Sequence, residues 1–103
     1  MGIEIVLEDA NGGKISSLED PENILHRVLP AQDDQKFQCL NRVDWYGDTT
    51  FNRYQIPILR QELRYLTDTE GMSLGEQNFI KELDSLAARA LSEPHFYLKF
   101  YGD

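Results

Sequence analysis

The sequence holds a single cysteine, Cys39, so no intrachain disulfide can form and the chain does not read as a stapled secreted domain. A reducing, cytoplasmic setting is the expectation. No apolar run approaches the roughly 20 residues needed to span a bilayer, and Met1-Gly2-Ile3-Glu4 has neither the basic nor the apolar region of a secretory signal. No membrane partner is expected. Positive charge is scarce as well: 10 Lys and Arg stand against 18 Asp and Glu, for a formal net charge of -8. That deficit argues against nucleic acid as a partner, because a phosphate backbone is held by a basic surface.

Catalytic signatures are also missing. There is no Gly-x-Ser-x-Gly nucleophile turn, no His-Glu-x-x-His and no paired Cys-x-x-Cys. Asn11-Gly12-Gly13 lacks the Lys-Ser/Thr and the helix start of a phosphate loop. No catalytic residue and no cofactor can be named from this. Cys39 reads as a small buried hydrophobe. His95 reads as a packed, hydrogen-bonded histidine rather than a base.

What is present suits one soluble domain: 103 residues, 41% hydrophobic and 27% charged, are enough for a single core. Acid gathers early, with Glu4, Glu8, Asp9, Glu19, Asp20 and Glu22 set against Lys14, while Arg53, Arg60 and Arg64 come later. A basic protein partner would suit the acidic part, since complementary charge speeds encounter.

Alternation over Ile3 to Glu8 predicts a strand with one buried face, followed by a tight hairpin at Asn11-Gly12 and a weaker returning strand over Lys14 to Leu18. Asp20-Pro21-Glu22 has the order of a helix start, with Asp20 as cap and Pro21 in the first turn, and predicts a short helix to about Leu29. The polar stretch 31–36 reads as a surface loop, and Phe37 to Val43 as another strand. With Pro57 in the first turn, the spacing of Ile56, Leu59, Leu63 and Leu66 predicts an amphipathic helix to about Leu66, with Arg60, Gln61, Glu62 and Arg64 on its other face. Ser73 and Glu76 form a capping box ahead of a longer helix with a broad stripe from Phe79 to Leu91. His95 to Tyr101 alternates again, and so many large side chains suggest a strand near the centre of a sheet beside Ile3 to Leu7. The fold class expected is α+β: a small, largely antiparallel sheet covered on one side by two longer helices, plus one short helix, all in one domain over 1–103.

The densest chemistry lies in Asp44-Trp45-Tyr46-Gly47-Asp48-Thr49-Thr50-Phe51-Asn52-Arg53. Asp44, Asp48 and Asn52 could gather round a hard cation, but their spacing fits no calcium loop, so no metal is expected. A loop tied by its own Asp side chains is the structural alternative, with Arg53 pairing one of them. The tripeptide Tyr-Gly-Asp occurs at 46–48 and again at 101–103. On neighbouring strands the two copies would share one acidic rim with Asp44; coincidence is the plainer explanation.

With these residues in view, the chain resembles a family of small bacterial proteins of unassigned function. Members carry a tyrosine-glycine-aspartate-threonine-x-phenylalanine-asparagine-arginine segment, matched by Tyr46 to Arg53, and close on an aromatic strand with glycine-aspartate, matched by Gly102-Asp103. Trp45 stands where that family more often has proline. The resemblance implies a bacterial cytoplasmic domain and brings no activity with it.

Two functional readings follow. In the first, a noncatalytic acidic interaction module, such as an immunity-type inhibitor, binds a basic protein through Asp44, Trp45, Tyr46, Asp48, Phe51, Asn52 and Arg53, because Trp, Tyr and Arg commonly supply interface hot spots. In the second, Asp44, Asp48, Asn52 and Arg53, with His95 and Asp103, converge in a pocket as a small-molecule or hydrolytic site. A homodimer through the aromatic C-terminal strand is compatible with either.

Overall fold

The computed structural model describes residues 3–20, 22–28, 37–44, 46–68 and 71–102. Trp45, Pro21, the stretch 31–36 and Asp103 lie outside the described residues, as does the end expected for the short helix at Leu29.

Four strands, β1 (Glu4–Glu8), β2 (Lys14–Glu19), β3 (Asp48–Phe51) and β4 (Tyr97–Tyr101), form one antiparallel sheet in the order β2-β1-β4-β3. The aromatic strand β4 is central and lies directly against β1, with Ile5 opposite Phe100 and Leu7 opposite Leu98. Alternation sends Ile5, Leu7, Phe51, Leu98 and Phe100 to one face, where all are buried. Phe51 and Phe100 meet edge to face at 5.5 Å between ring centroids. Helix α2 (Ile56–Thr67) buries Ile56, Leu59, Leu63 and Leu66, and α3 (Leu74–Ala90) buries Phe79, Ile80, Leu83, Leu86, Ala87 and Ala90. The two helices pack on each other, α3 also touches β1, β2 and β4, and all these side chains belong to one core with the inward sheet face. Arg60 and Asp84 clamp the helix pair from outside, Nε to Oδ1 at 2.8 Å. The fold is α+β.

Several local expectations need correction. The β1–β2 hairpin does not place Asn11 and Gly12 together at positive φ: only Gly12 is left-handed, at φ 81°. Gly12 N–H donates to Asp9 O, and Asp9 Oδ1 accepts from Asn11 and Gly13 N–H, so the connection is a three-residue loop with glycine at its last position. The short helix α1 spans Ile24–Val28, starting later than Pro21, because Asn23 sits at φ 55°. Asp20 still caps it, Oδ1 accepting from Ile24 N–H and Oδ2 from Leu25 N–H, both at 2.8 Å. Phe37 to Val43 is no strand but a turn leading into a 3-10 helix over Leu40–Arg42.

The cause of that last difference is Glu62, expected on the outer face of α2 and found only 5% exposed. Its carboxylate accepts the N–H groups of Cys39, at 3.0 Å to Oε2, and of Leu40, at 2.9 Å to Oε1. Those donors would otherwise enter a strand ladder. Fixed by the carboxylate instead, they curl the chain against α2.

The sheet's second face is not apolar, yet Val6 on it is only 3% exposed. Tyr101 lies opposite Glu4 but donates its phenol to Glu8, so its ring spans the Val6 position between them. Lys14 reaches the same way to Glu4, at 3.1 Å. No described helix is long and apolar enough to cross a membrane.

Candidate functional site

Asp44 builds the corner that precedes β3. Its Oδ1 accepts Tyr46 N–H at 2.9 Å, and its own N–H donates to Thr49 Oγ1 at 2.8 Å. The Thr49 hydroxyl donates onward to Arg42 O. A Cβ at position 47 would lie 2.7 Å from Asp44 Oδ2, so any larger residue there would have to displace the Asp44 carboxylate. Gly47 O then accepts Gly102 N–H at 2.7 Å, and Asp48 sits opposite Tyr101. Tyr46-Gly47-Asp48 and Tyr101-Gly102 are therefore neighbours, joined main chain to main chain through Gly47 and Gly102.

Tyr46 projects from this corner 87% exposed. Asp48 is also exposed and reaches Lys99 only at 3.9 Å, while Lys99 Nζ lies 4.8 Å from the centre of the Tyr101 ring. The phenol of Tyr101 is held above its ordinary pKa, first by its bond to Glu8. The Lys99 ammonium is likewise raised, first through Tyr101, with Glu8 and Asp48 adding to the effect. The corner thus continues into an ordered strip of carboxylate, ammonium and phenol groups along the outer sheet face.

The remaining candidates separate from the corner. Phe51 is 1% exposed and belongs to the core: it is inward by strand alternation and lies against Phe100, so it leaves the set of contact residues. Asn52 is occupied as a cap, since its Oδ1 accepts Tyr54 and Gln55 N–H while Gln55 Oε1 accepts Asn52 N–H. That is the reciprocal geometry of a capping box, with Asn and Gln at its two ends. Arg53 pairs with neither Asp44 nor Asp48; its guanidinium lies 5.4 Å from the centre of the Tyr54 ring. Arg53 also lines a shallow recess of about 300 Å³ with Leu91, Glu93 and Pro94. His95 is exposed and stacks edge to face on Phe96.

Two exposed aromatics escape the sequence reading. Tyr54, just ahead of α2, is 76% exposed, while the half-exposed Tyr65 sets its ring edge to face on the buried Phe37, 5.5 Å between centroids. The signal is present in the sequence: these positions fall outside the 56, 59, 63, 66 series. Among the described residues no group of three or more His, Cys, Asp or Glu could hold a metal ion. No protein family, curated protein or solved structure matches the chain.

Proposed function

We propose that this protein is a noncatalytic interaction module whose corner at Asp44 to Asp48 binds a basic protein partner, in the manner of an immunity-type inhibitor. The observation that carries the reading is Tyr46: a large aromatic side chain in solvent, on a backbone fixed from both sides by Asp44, Thr49 and Gly102. The backbone that carries it has little conformational freedom left to lose on binding, which favours an anchor. Asp44 and Asp48 flank it with negative charge, and the chain as a whole carries -8.

The test is substitution of Tyr46 and Tyr54 by alanine, with affinity for the partner recovered by crosslinking in the native host measured by calorimetry. Tyr46→Ala is expected to weaken binding by more than about 2 kcal/mol with an unchanged thermal midpoint. Wild-type affinity in that variant would remove the corner as the contact.

A second reading draws on the recess beside Arg53, whose volume of about 300 Å³ is at the lower end for a small-molecule site. Of Asp44, Asp48, Asn52 and Arg53, only Arg53 lines it. Loss of a ligand's binding in Arg53→Ala, with Tyr46→Ala unaffected, would favour this reading over the first.

A further inference from the structure

The two edges of the sheet are not equivalent. β3 is four residues long and is shut at one end by the Asp44 corner and at the other by the Asn52 cap. β2 is six residues long, contains no proline, and among the described residues no strand pairs its outer side. Asp20 N–H donates to Ile3 O, and in an antiparallel ladder every second residue faces the same neighbour. Leu18 and Ser16 therefore direct their main-chain groups to β1. Ser17 and Glu19 direct theirs outward, as a template for another strand.

The side chains decide which strand fits. Glu19 lies directly opposite Glu4 on β1, a like-charged pair, and Lys14 is spent on Glu4 rather than on Glu19. Among the described residues Glu19 has no ion pair, so this edge is short of positive charge at one end. At its other end stands Lys14, which a bulge at Ile15 turns to the same face by pairing it with Glu8.

We propose that β2 is the dimerisation edge, and that its occupant is β2 of a second copy of this chain, running antiparallel about a two-fold axis at Ser17. In that register Ser17 pairs with its symmetry mate through the outward main-chain groups. Ser16 lies opposite Leu18 of the other copy, and the Lys14–Ile15 bulge lies opposite Glu19, as it already does opposite Glu8. Each Lys14 ammonium, held by Glu4 at 3.1 Å, then stands between that carboxylate and Glu19 of the other copy, twice by symmetry. Ile15, 38% exposed, and the partly buried Leu18 gain cover. Two four-stranded sheets become one of eight strands, and the two-fold closes the assembly at a dimer.

Sedimentation of the full chain across micromolar to millimolar concentration tests this. The expected result is a monomer–dimer equilibrium. Ser17→Pro removes an outward donor without touching the β1 ladder, and should be monomeric throughout with an unchanged circular dichroism spectrum. Lys14→Glu and Glu19→Lys should each lose at least tenfold in self-association, and an equimolar mixture of the two should recover it as a heterodimer, because both pairs then have opposite sign. A wild type that stays monomeric at millimolar concentration would overturn the proposal. So would a Ser17→Pro variant that still dimerises, or a charge-swapped mixture that fails to associate. If Ser17→Pro does not fold, the charge-swapped mixture decides alone.

Discussion

At the scale of single residues, the polar groups that look reactive are mostly engaged in holding the chain. Cys39 is the clearest case. Its thiol donates to Gln55 O at 3.5 Å, and burial together with the nearby Glu62 carboxylate pushes its pKa to about 11, against smaller opposing effects of Arg42 and a main-chain bond at Leu59. A nucleophile needs the opposite shift. Because the folded thiol keeps its proton to higher pH than the unfolded one, its contribution to stability is complete below the unfolded value of 9.0 and is lost as pH climbs towards 11. Denaturant unfolding of wild type and Cys39→Ala at a series of pH values between these limits checks the sign. The wild type should lose on the order of 2 kcal/mol more than the variant over that window. Tyr101, whose pKa is also raised, contributes equally to both chains and cancels in the difference. Parallel curves would mean that the thiol is not protected.

At the scale of elements, legibility follows the kind of signal. Strand β1, strand β4 and the helix opened by Ser73 and Glu76 are readable because alternation, helical spacing and a capping box are local patterns. The structure realises that box: Glu76 N–H donates to Ser73 Oγ at 3.2 Å and Ser73 N–H to Glu76 Oε1 at 3.0 Å. The stretch 37–43 misleads because its fate depends on Glu62, more than twenty residues away. Phe51 is misplaced by sequence alone because β3 is short and lies inside a run of polar residues, so its alternation is hidden by the chemistry around it. Asn52 with Gln55 has the same spacing as Ser73 with Glu76 and is easily passed over beside the more conspicuous acids. If Asn52 is a cap, Asn52→Ala should cost about 1 kcal/mol in urea unfolding and Asn52→Asp, which keeps the acceptor, should cost less. An alanine variant of full stability but weakened partner binding would return Asn52 to the contact surface.

At the scale of the whole molecule, charge and topology together make the two proposed associations separable. The strand order puts β2 on one edge and the Tyr46 corner beside β3 on the other, so two copies joined at β2 would leave both corners free. Such a pair could engage a repeated or dimeric partner with two anchors at once. The two contacts should also respond to salt in opposite directions. Between about 0.01 M and 0.15 M ionic strength the screening length falls from about 30 Å to about 8 Å, which removes long-range interactions and spares close ones. For a basic partner the long-range part is attraction to a chain of charge -8, so the association rate should fall steeply. For two copies of this chain the long-range part is repulsion between like net charges, while the Lys14–Glu19 pairs act at contact. Self-association should therefore strengthen over the same range. Sedimentation for the dimer and stopped-flow mixing for the partner would read the two signs. A dimer that dissociates on adding salt would place net attraction, not main-chain pairing against a repulsive background, at the centre of self-association.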